Sequence, residues 1–327
     1  MKHGGDLTQA MAEFGGAADE WLDLSTGINP WPWPIRSVPA SAWQRLPARA
    51  EEQALLAAAR AAYRVPDGAG IVAAAGTQAL IQLLPRLAAD GVVAIVGPTY
   101  NEHSAAWSGA GHSIAAIGDL AELPAHATHA VIVNPNNPDG RIVDPQRLAE
   151  VAALLQRRGG WLVVDEAFAD VEAGISVVGS CGKLPIVTLR SFGKFYGLAG
   201  IRLGFAVTTP ELANRILAVI GPWAVSGPAL HVGTKALADA QWAMQTRVRL
   251  AAQAIKLDGV LRAAGFEVAG GTSLYRLARH PQASALHRRL AQQHIWSRSF
   301  DWSRDLLRFG LPHDTEALAR LTTALVR

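Results

Sequence analysis

Between residues 71 and 207, six short runs are apolar on both faces, and they limit the fold of this 327-residue chain more than any other feature. Ile71–Ala75, Val92–Val96, Ala130–Val133, Trp161–Val164, Ile186–Leu189 and Gly204–Val207 are bounded by Gly, Pro or Asp. Strands covered on both sides have this character. Helical stretches at Thr77–Ala88, Asn101–Ala110 and Pro145–Arg157 separate them. The alternation predicts an α/β fold, a mainly parallel sheet with helices on both faces. Half of the residues are hydrophobic and 17% are charged, which supplies a large core and a smaller attached domain.

The polarity changes after Pro210. Residues 211–220 and 228–264 read as long helices, and the tail (Glu267–Leu277, Ala283–His294, Leu306–Gly310) reads as a small α+β unit. The segment Asn29-Pro30-Trp31-Pro32-Trp33-Pro34 suits neither helix nor central strand and is expected to be an extended crossing. The expected organisation is an N-terminal arm with part of the small domain over 1–39, a large domain over 40–215, and a small C-terminal domain over 216–327.

Composition narrows the partners. A net charge of +3 with scattered basic residues leaves no nucleic-acid footprint, and pairs such as Arg157-Arg158 and Arg288-Arg289 read as solvated helix faces. The single cysteine, Cys181, excludes an intrachain disulfide and fits a reducing cytoplasm. The opening residues lack the apolar core of a signal peptide, and no run reaches the ~20 apolar residues that a membrane helix needs. A soluble cytoplasmic protein with no membrane partner and no metal site is expected.

Ligands of open α/β sheets gather where the strands end, so the residues that follow each run carry the functional reading. Gly76-Thr77-Gln78 follows the first, opening a helix, and Tyr100 closes Gly97-Pro98-Thr99-Tyr100 after the second. Asn134-Pro135-Asn136-Asn137-Pro138-Asp139-Gly140 follows the third, Asp165-Glu166-Ala167-Phe168 the fourth, and Arg190-Ser191-Phe192-Gly193-Lys194 the fifth. Taken singly, each has an ordinary use. Gly76 and Asp165 suit helix caps, Asn-Pro suits a turn, Tyr100 a core aromatic, and Lys194 a surface site. The ordered set supplies an anion cradle, an aromatic ring, an amide, a carboxylate and a lysine.

This set resembles the class I/II aminotransferase family, which is marked by an Asn-Pro-x-Asn-Pro-x-Gly loop, an Asp-Glu-Ala-aromatic step, and Ser-x-x-Lys followed by an arginine. Residues 134–140, 165–168, 191–194 and Arg202 carry the likeness. It implies the fold-type-I architecture of pyridoxal 5′-phosphate (PLP) enzymes, with a mainly parallel large domain and a smaller α+β domain. Lys194 would hold PLP covalently and act as the base. Asp165 would pair with the pyridine nitrogen, Asn137 would donate to the ring oxygen, and Tyr100 would stack on the ring. The phosphate would lie on Gly76, Thr77 and Gln78 at the helix N-terminus, with Ser191 and Arg202 completing its cradle. Phe168 stands where most relatives carry tyrosine.

Arg308, in Leu306-Leu307-Arg308-Phe309-Gly310, matches the family arginine that binds the substrate carboxylate. Arg298, ten residues earlier, suits a second substrate anion or a surface site. The opening His3-Gly4-Gly5-Asp6-Leu7, residues 21–32 and residues 165–170 resemble the threonine-phosphate decarboxylases of cobalamin biosynthesis. That likeness implies conversion of L-threonine O-3-phosphate to (R)-1-amino-2-propanol O-2-phosphate and CO2. It assigns His3, Gly4, Asn29 and Asn137 to substrate binding beside the two arginines; His3 equally suits an unordered terminus. Leu46-Pro47 replaces the Tyr-Pro usual in histidinol-phosphate aminotransferases, the runner-up reading. A third reading is a catalytically idle binding partner of a pathway enzyme, against which Lys194, Asp165 and Arg202 together argue. Family analogy implies a homodimer.

Overall fold

The computed structural model describes residues 4–326, so His3 lies outside the described residues. The chain divides into two compact units. The larger holds Trp33–Asn137 and Arg141–Ala243; the smaller holds the described residues up to Pro32, Pro138–Gly140, and those from Met244 onward.

The larger unit is built on a seven-stranded sheet. Its strands are β1 (Gly70–Ala74), β2 (Val92–Val96), β3 (Ser113–Ile117), β4 (Ala127–Val133), β5 (Leu162–Asp165), β6 (Ile186–Ser191) and β7 (Gly204–Thr208). Their order is β1-β7-β6-β5-β4-β2-β3. Neighbours pair in parallel except β7, which is antiparallel to both β1 and β6. The six apolar runs of the sequence are thus strands of this sheet. Strand β3 is an addition. It sits at the sheet edge with only Ile117 buried, so its residues never form an apolar run.

Helices cover the sheet with apolar stripes. Leu80, Ile81 and Leu84 of helix Thr77–Leu87 are buried, as are Leu148, Val151 and Leu155 of Pro145–Gln156. The second helix is capped by Asp144, whose carboxylate accepts from Gln146 N–H at 2.7 Å, with Pro145 at its first position. The first helix joins Val72, Val93, Val131, Val163 and Val187 in one core cluster.

The helix expected over 228–264 is two helices, Gly227–Ala238 and Ala240–Ala263. Asp239 leaves the helical region at φ −88° and ψ 72°. Its carboxylate accepts from Trp242 N–H at 3.0 Å and from Trp33 Nε1 at 3.2 Å, capping the second helix. Gly227–Ala238 packs closely on Arg49–Tyr63, where a Cβ at Gly233 would lie 2.9 Å from Leu55 Cδ1. The large unit therefore runs past the expected boundary at residue 215, to Ala243.

The smaller unit has a four-stranded antiparallel sheet ordered Arg298–Phe300, Ser303–Gly310, Tyr275–Arg279, Glu267–Thr272. The stretch expected as Glu267–Leu277 is a hairpin turning at Ser273-Leu274. Leu22–Asp23 pairs in parallel with Ile295–Trp296, so both chain ends build this unit. Residues 29–34 form neither helix nor strand, as their prolines require. Among the described residues no helix is long and apolar enough to cross a membrane.

Candidate functional site

The ends of β1, β5 and β6 in the larger unit gather the expected cofactor residues. Gly76 has φ +83°, and a Cβ there would fall 2.8 Å from Arg202 Nη2. Glycine is required twice over, for the backbone and for the close guanidinium. Thr77 then opens its helix, and a Cβ at Gly204 would lie 2.5 Å from Thr77 N. The first turn of this helix and an exposed guanidinium thus lie side by side, a pairing suited to a phosphate. Ser191, the buried last residue of β6, leads into the short helix Phe192–Phe195 that carries half-buried Lys194. Lys194 Nζ lies 5.8 Å from the ring centroid of buried Phe168.

Asp165 ends β5 at 3% exposure. Its Oδ1 accepts from Ala167 N–H at 3.0 Å, and its Oδ2 lies 2.9 Å from His103 Nε2. An ionised carboxylate only accepts, so His103 is the donor. His103 was not among the residues singled out from sequence. It lies one helical turn from Tyr100, a spacing that puts the two on one helix face but does not by itself mark a role.

Tyr100 donates to Gln78 Oε1 at 3.2 Å, while Gln78 Nε2 donates to Glu102 Oε2 at 2.7 Å. The Gln78 side chain is therefore turned toward Tyr100 and Glu102. Burial pushes the Tyr100 phenol up to about 12, with Glu102 and Asp165 adding to the effect and Arg202 opposing it. At neutral pH it is a neutral ring bearing a hydroxyl. The Asn-Pro loop is pinned by its other amides. Asn134 exchanges bonds with Val143, and Asn136 donates to Pro98 O at 3.0 Å and accepts from Thr99 Oγ1 at 2.7 Å. Asn137 follows them half-buried.

On the opposite side of these strands lies a buried brace. Side chains alternate along a strand, so Glu166 and Arg190 point away from the face of Asp165 and Ser191. Arg190 bonds Glu166 Oε2 at 2.7 Å and Asp170 Oδ1 at 2.5 Å, and its guanidinium carbon is 4.5 Å from the Tyr63 ring centroid. Glu166 also accepts from Ser176 Oγ and Val177 N–H. Burial raises the Glu166 carboxyl, and Arg190 opposes that. The brace ties the loop bearing Phe168 to the strand that leads to Lys194.

The expected substrate arginines share the smaller unit. Arg298 and Arg308 are direct partners across adjacent antiparallel strands, so their side chains rise on one face. Arg308 is 7% exposed; its Nη2 donates to Ser25 O at 2.6 Å, and its guanidinium carbon lies 5.1 Å from the Tyr275 ring centroid. Burial pushes Arg308 down to about 10. Tyr275 and Asp23 oppose the shift, while Arg298 adds to it. Half-buried Arg298 is lowered by burial too, against Asp301. Two like charges placed opposite each other are costly until an anion joins them.

Gly4 sits against Ser25, where a Cβ would lie 2.5 Å from its carbonyl oxygen. Buried Asn29 accepts from Trp31 N–H at 2.9 Å, which holds its own turn. Leu46 is 68% exposed, at the position where the aminotransferase pattern has tyrosine. Asp23 and Ser25 lie within the stretch 21–32. Their i, i+2 spacing is that of a side chain closing its own turn.

The model of the family described as aminotransferase class I and II matches residues 46–325. The chain belongs to that family. Within the class I and II aminotransferases, a threonine-phosphate decarboxylase from Sinorhizobium sp. is 44% identical over 332 residues, covering 99% of this chain and 97% of that one. The enzyme of the same name from Pseudomonas aeruginosa is 43% identical, covering 100% and 97%. The fold matches the crystal structure of histidinol-phosphate aminotransferase from Sinorhizobium meliloti in complex with pyridoxal-5′-phosphate. The TM-score is 0.84 at 19% identity, with 98% of this chain and 93% of the other covered. For this family's cofactor the donor set fits. Gly76 brings the helix start against the Arg202 guanidinium, which together suit a phosphate, while Asp165 offers a buried carboxylate and Lys194 an amine.

Proposed function

We propose that this chain is a PLP-dependent decarboxylase that converts L-threonine O-3-phosphate to (R)-1-amino-2-propanol O-2-phosphate and CO2 in cobalamin biosynthesis. The cross-strand pairing of Arg298 with Arg308 carries the reading, because it offers two partly desolvated cations to a substrate with two anions. Nearly full-length identity of 44% and 43% to two enzymes named threonine-phosphate decarboxylase supports it.

In this reading Gly76, Thr77, Ser191 and Arg202 hold the cofactor phosphate, and Asp165, kept in place by His103, holds the pyridine nitrogen. Tyr100 covers the ring, and Asn137 reaches both the ring oxygen and the substrate. Gln78 contributes its backbone while its side chain fixes Tyr100. Bound PLP supplies an electron sink for the bond that breaks at Cα. Arg308 would take the carboxylate and Arg298 the phosphate of the substrate, and the Lys194 amine would supply the proton that takes the place of CO2 at Cα. Gly4 and Asn29 belong to the substrate side, as does His3.

The protein is proposed to act in the cytoplasm as a homodimer. Exposed Trp43, Leu46 and Trp223 on the larger unit support the second part, being large apolar side chains on a surface. The test of function loads the protein with PLP, adds threonine O-3-phosphate and identifies the product by mass spectrometry. Aminopropanol phosphate is expected, and borohydride treatment should fix the cofactor on the peptide containing Lys194. Unchanged substrate, or label on Lys183, would contradict the assignment.

A further inference from the structure

Ser25 joins three parts of the smaller unit. Its N–H and its hydroxyl both donate to Asp23 Oδ1, at 2.8 and 2.6 Å. Its Oγ accepts from Gly5 N–H at 2.9 Å, and its carbonyl accepts from Arg308 Nη2 at 2.6 Å. Asp23 sets the sense of these bonds. A carboxylate only accepts, so the Ser25 hydroxyl proton is committed to it and a lone pair is left for Gly5. Ser25 is 1% exposed, and its bond to Arg308 is buried, while those to Gly5 and Asp23 are part-buried. Gly4 completes the contact, since a Cβ there would lie 2.5 Å from the carbonyl that Arg308 holds. The amino-terminal arm and the buried guanidinium therefore meet on one serine.

We infer that Asp23 and Ser25 are positioning residues for substrate specificity, docking the amino-terminal arm and Arg308 as one unit around the substrate's anion. The inference rests on the proposed role of Arg308 in carboxylate binding. Neither residue touches substrate. The neutral carbonyl of Ser25 fixes one Arg308 N–H group without neutralising its charge. Asp23 offsets part of the burial of that charge. An aspartate bonded straight to Arg308 would instead compete with the substrate carboxylate.

The test uses the PLP-loaded protein with Ser25→Ala, Asp23→Asn and Gly4→Ala. Ser25→Ala removes the acceptor for Gly5 and should raise KM for threonine O-3-phosphate about fivefold, the worth of one buried hydrogen bond. The change in kcat should stay within about twofold, and the cofactor absorbance should not move, because the cofactor residues belong to the other unit. Asp23→Asn keeps the Oδ1 acceptor but removes the negative charge that offsets the burial of Arg308, and should raise KM in the same direction. Hydrogen exchange of the peptide covering residues 1–10 should quicken in Ser25→Ala. Gly4→Ala would put a Cβ 2.5 Å from the Ser25 carbonyl, so it disturbs the same contact from the side of the arm and should raise KM and quicken exchange of that peptide as well. A purely structural role would lower Tm and leave KM of the folded protein unchanged. Unchanged KM in Ser25→Ala and Gly4→Ala, or arm exchange as slow in Ser25→Ala as in the parent, would overturn the inference. Should the parent release no CO2 from threonine phosphate, the proposed reaction fails, and the exchange comparison then decides arm docking by itself.

Discussion

His103 Nε2 lies 2.9 Å from Asp165 Oδ2, with the two side chains 1% and 4% exposed. The histidine donates into a carboxylate whose other oxygen is already held by Ala167 N–H. Asp165 is thereby fixed in orientation, as the proposed pairing with a cationic pyridine nitrogen would require. A charge-assisted bond of this kind contributes about 1.5–3 kcal/mol. His103→Leu should weaken PLP binding about tenfold or more, read by fluorescence titration of the apoprotein, with far-UV circular dichroism unchanged. Parent-like affinity would mean that the histidine only fills space.

The strand ends were legible because strands buried on both faces leave apolar runs, and chemistry follows such runs at fixed places. Lys194, Asp165 and Gly76 could be named in this way. His103 could not, since a histidine on a helix has no meaning until the fold lays that helix beside Asp165. Strand β3 was invisible for the opposite reason: an edge strand with one buried residue resembles a loop. The break at Asp239 was written in the sequence as an N-cap followed by Trp242, yet alanine-rich flanks masked it. The pairing of Arg298 with Arg308 depends on a hairpin register that their ten-residue spacing does not reveal.

That pairing predicts a division of labour. Arg298→Ala should lower kcat/KM for threonine O-3-phosphate at least about tenfold more than for threonine, the cost of a lost charge-assisted bond. Arg308→Ala should lower both by similar factors, because both substrates carry the carboxylate. Equal losses for the two substrates in Arg298→Ala would remove that residue from phosphate recognition.

His129 makes the larger unit sensitive to acid. Its Nε2 donates to Ala89 O at 3.0 Å, and its Nδ1 accepts from Trp161 N–H at 3.1 Å, a pattern open only to the neutral ring. Burial holds its pKa below the ordinary 6.5; the Ala89 carbonyl opposes the shift, and His112 adds to it. The unfolded chain takes up this proton near pH ~6.5, whereas the folded chain resists it to lower pH. Stability is therefore lost as pH falls below about 6.5. Thermal melts should give a lower Tm at pH ~5.5 than at ~7.5, with a smaller drop in His129→Gln, whose amide can keep both bonds. An equal drop in the two proteins would place the acid sensitivity elsewhere.

Decarboxylation rather than amino transfer is the central claim, and the fate of the substrate carboxylate tests it most directly. PLP-loaded protein is mixed with threonine O-3-phosphate, with and without 2-oxoglutarate, and CO2 is counted against substrate consumed. The proposed function predicts one CO2 per substrate, at a rate indifferent to 2-oxoglutarate. Consumption that requires 2-oxoglutarate, yields glutamate and releases no CO2 would contradict it.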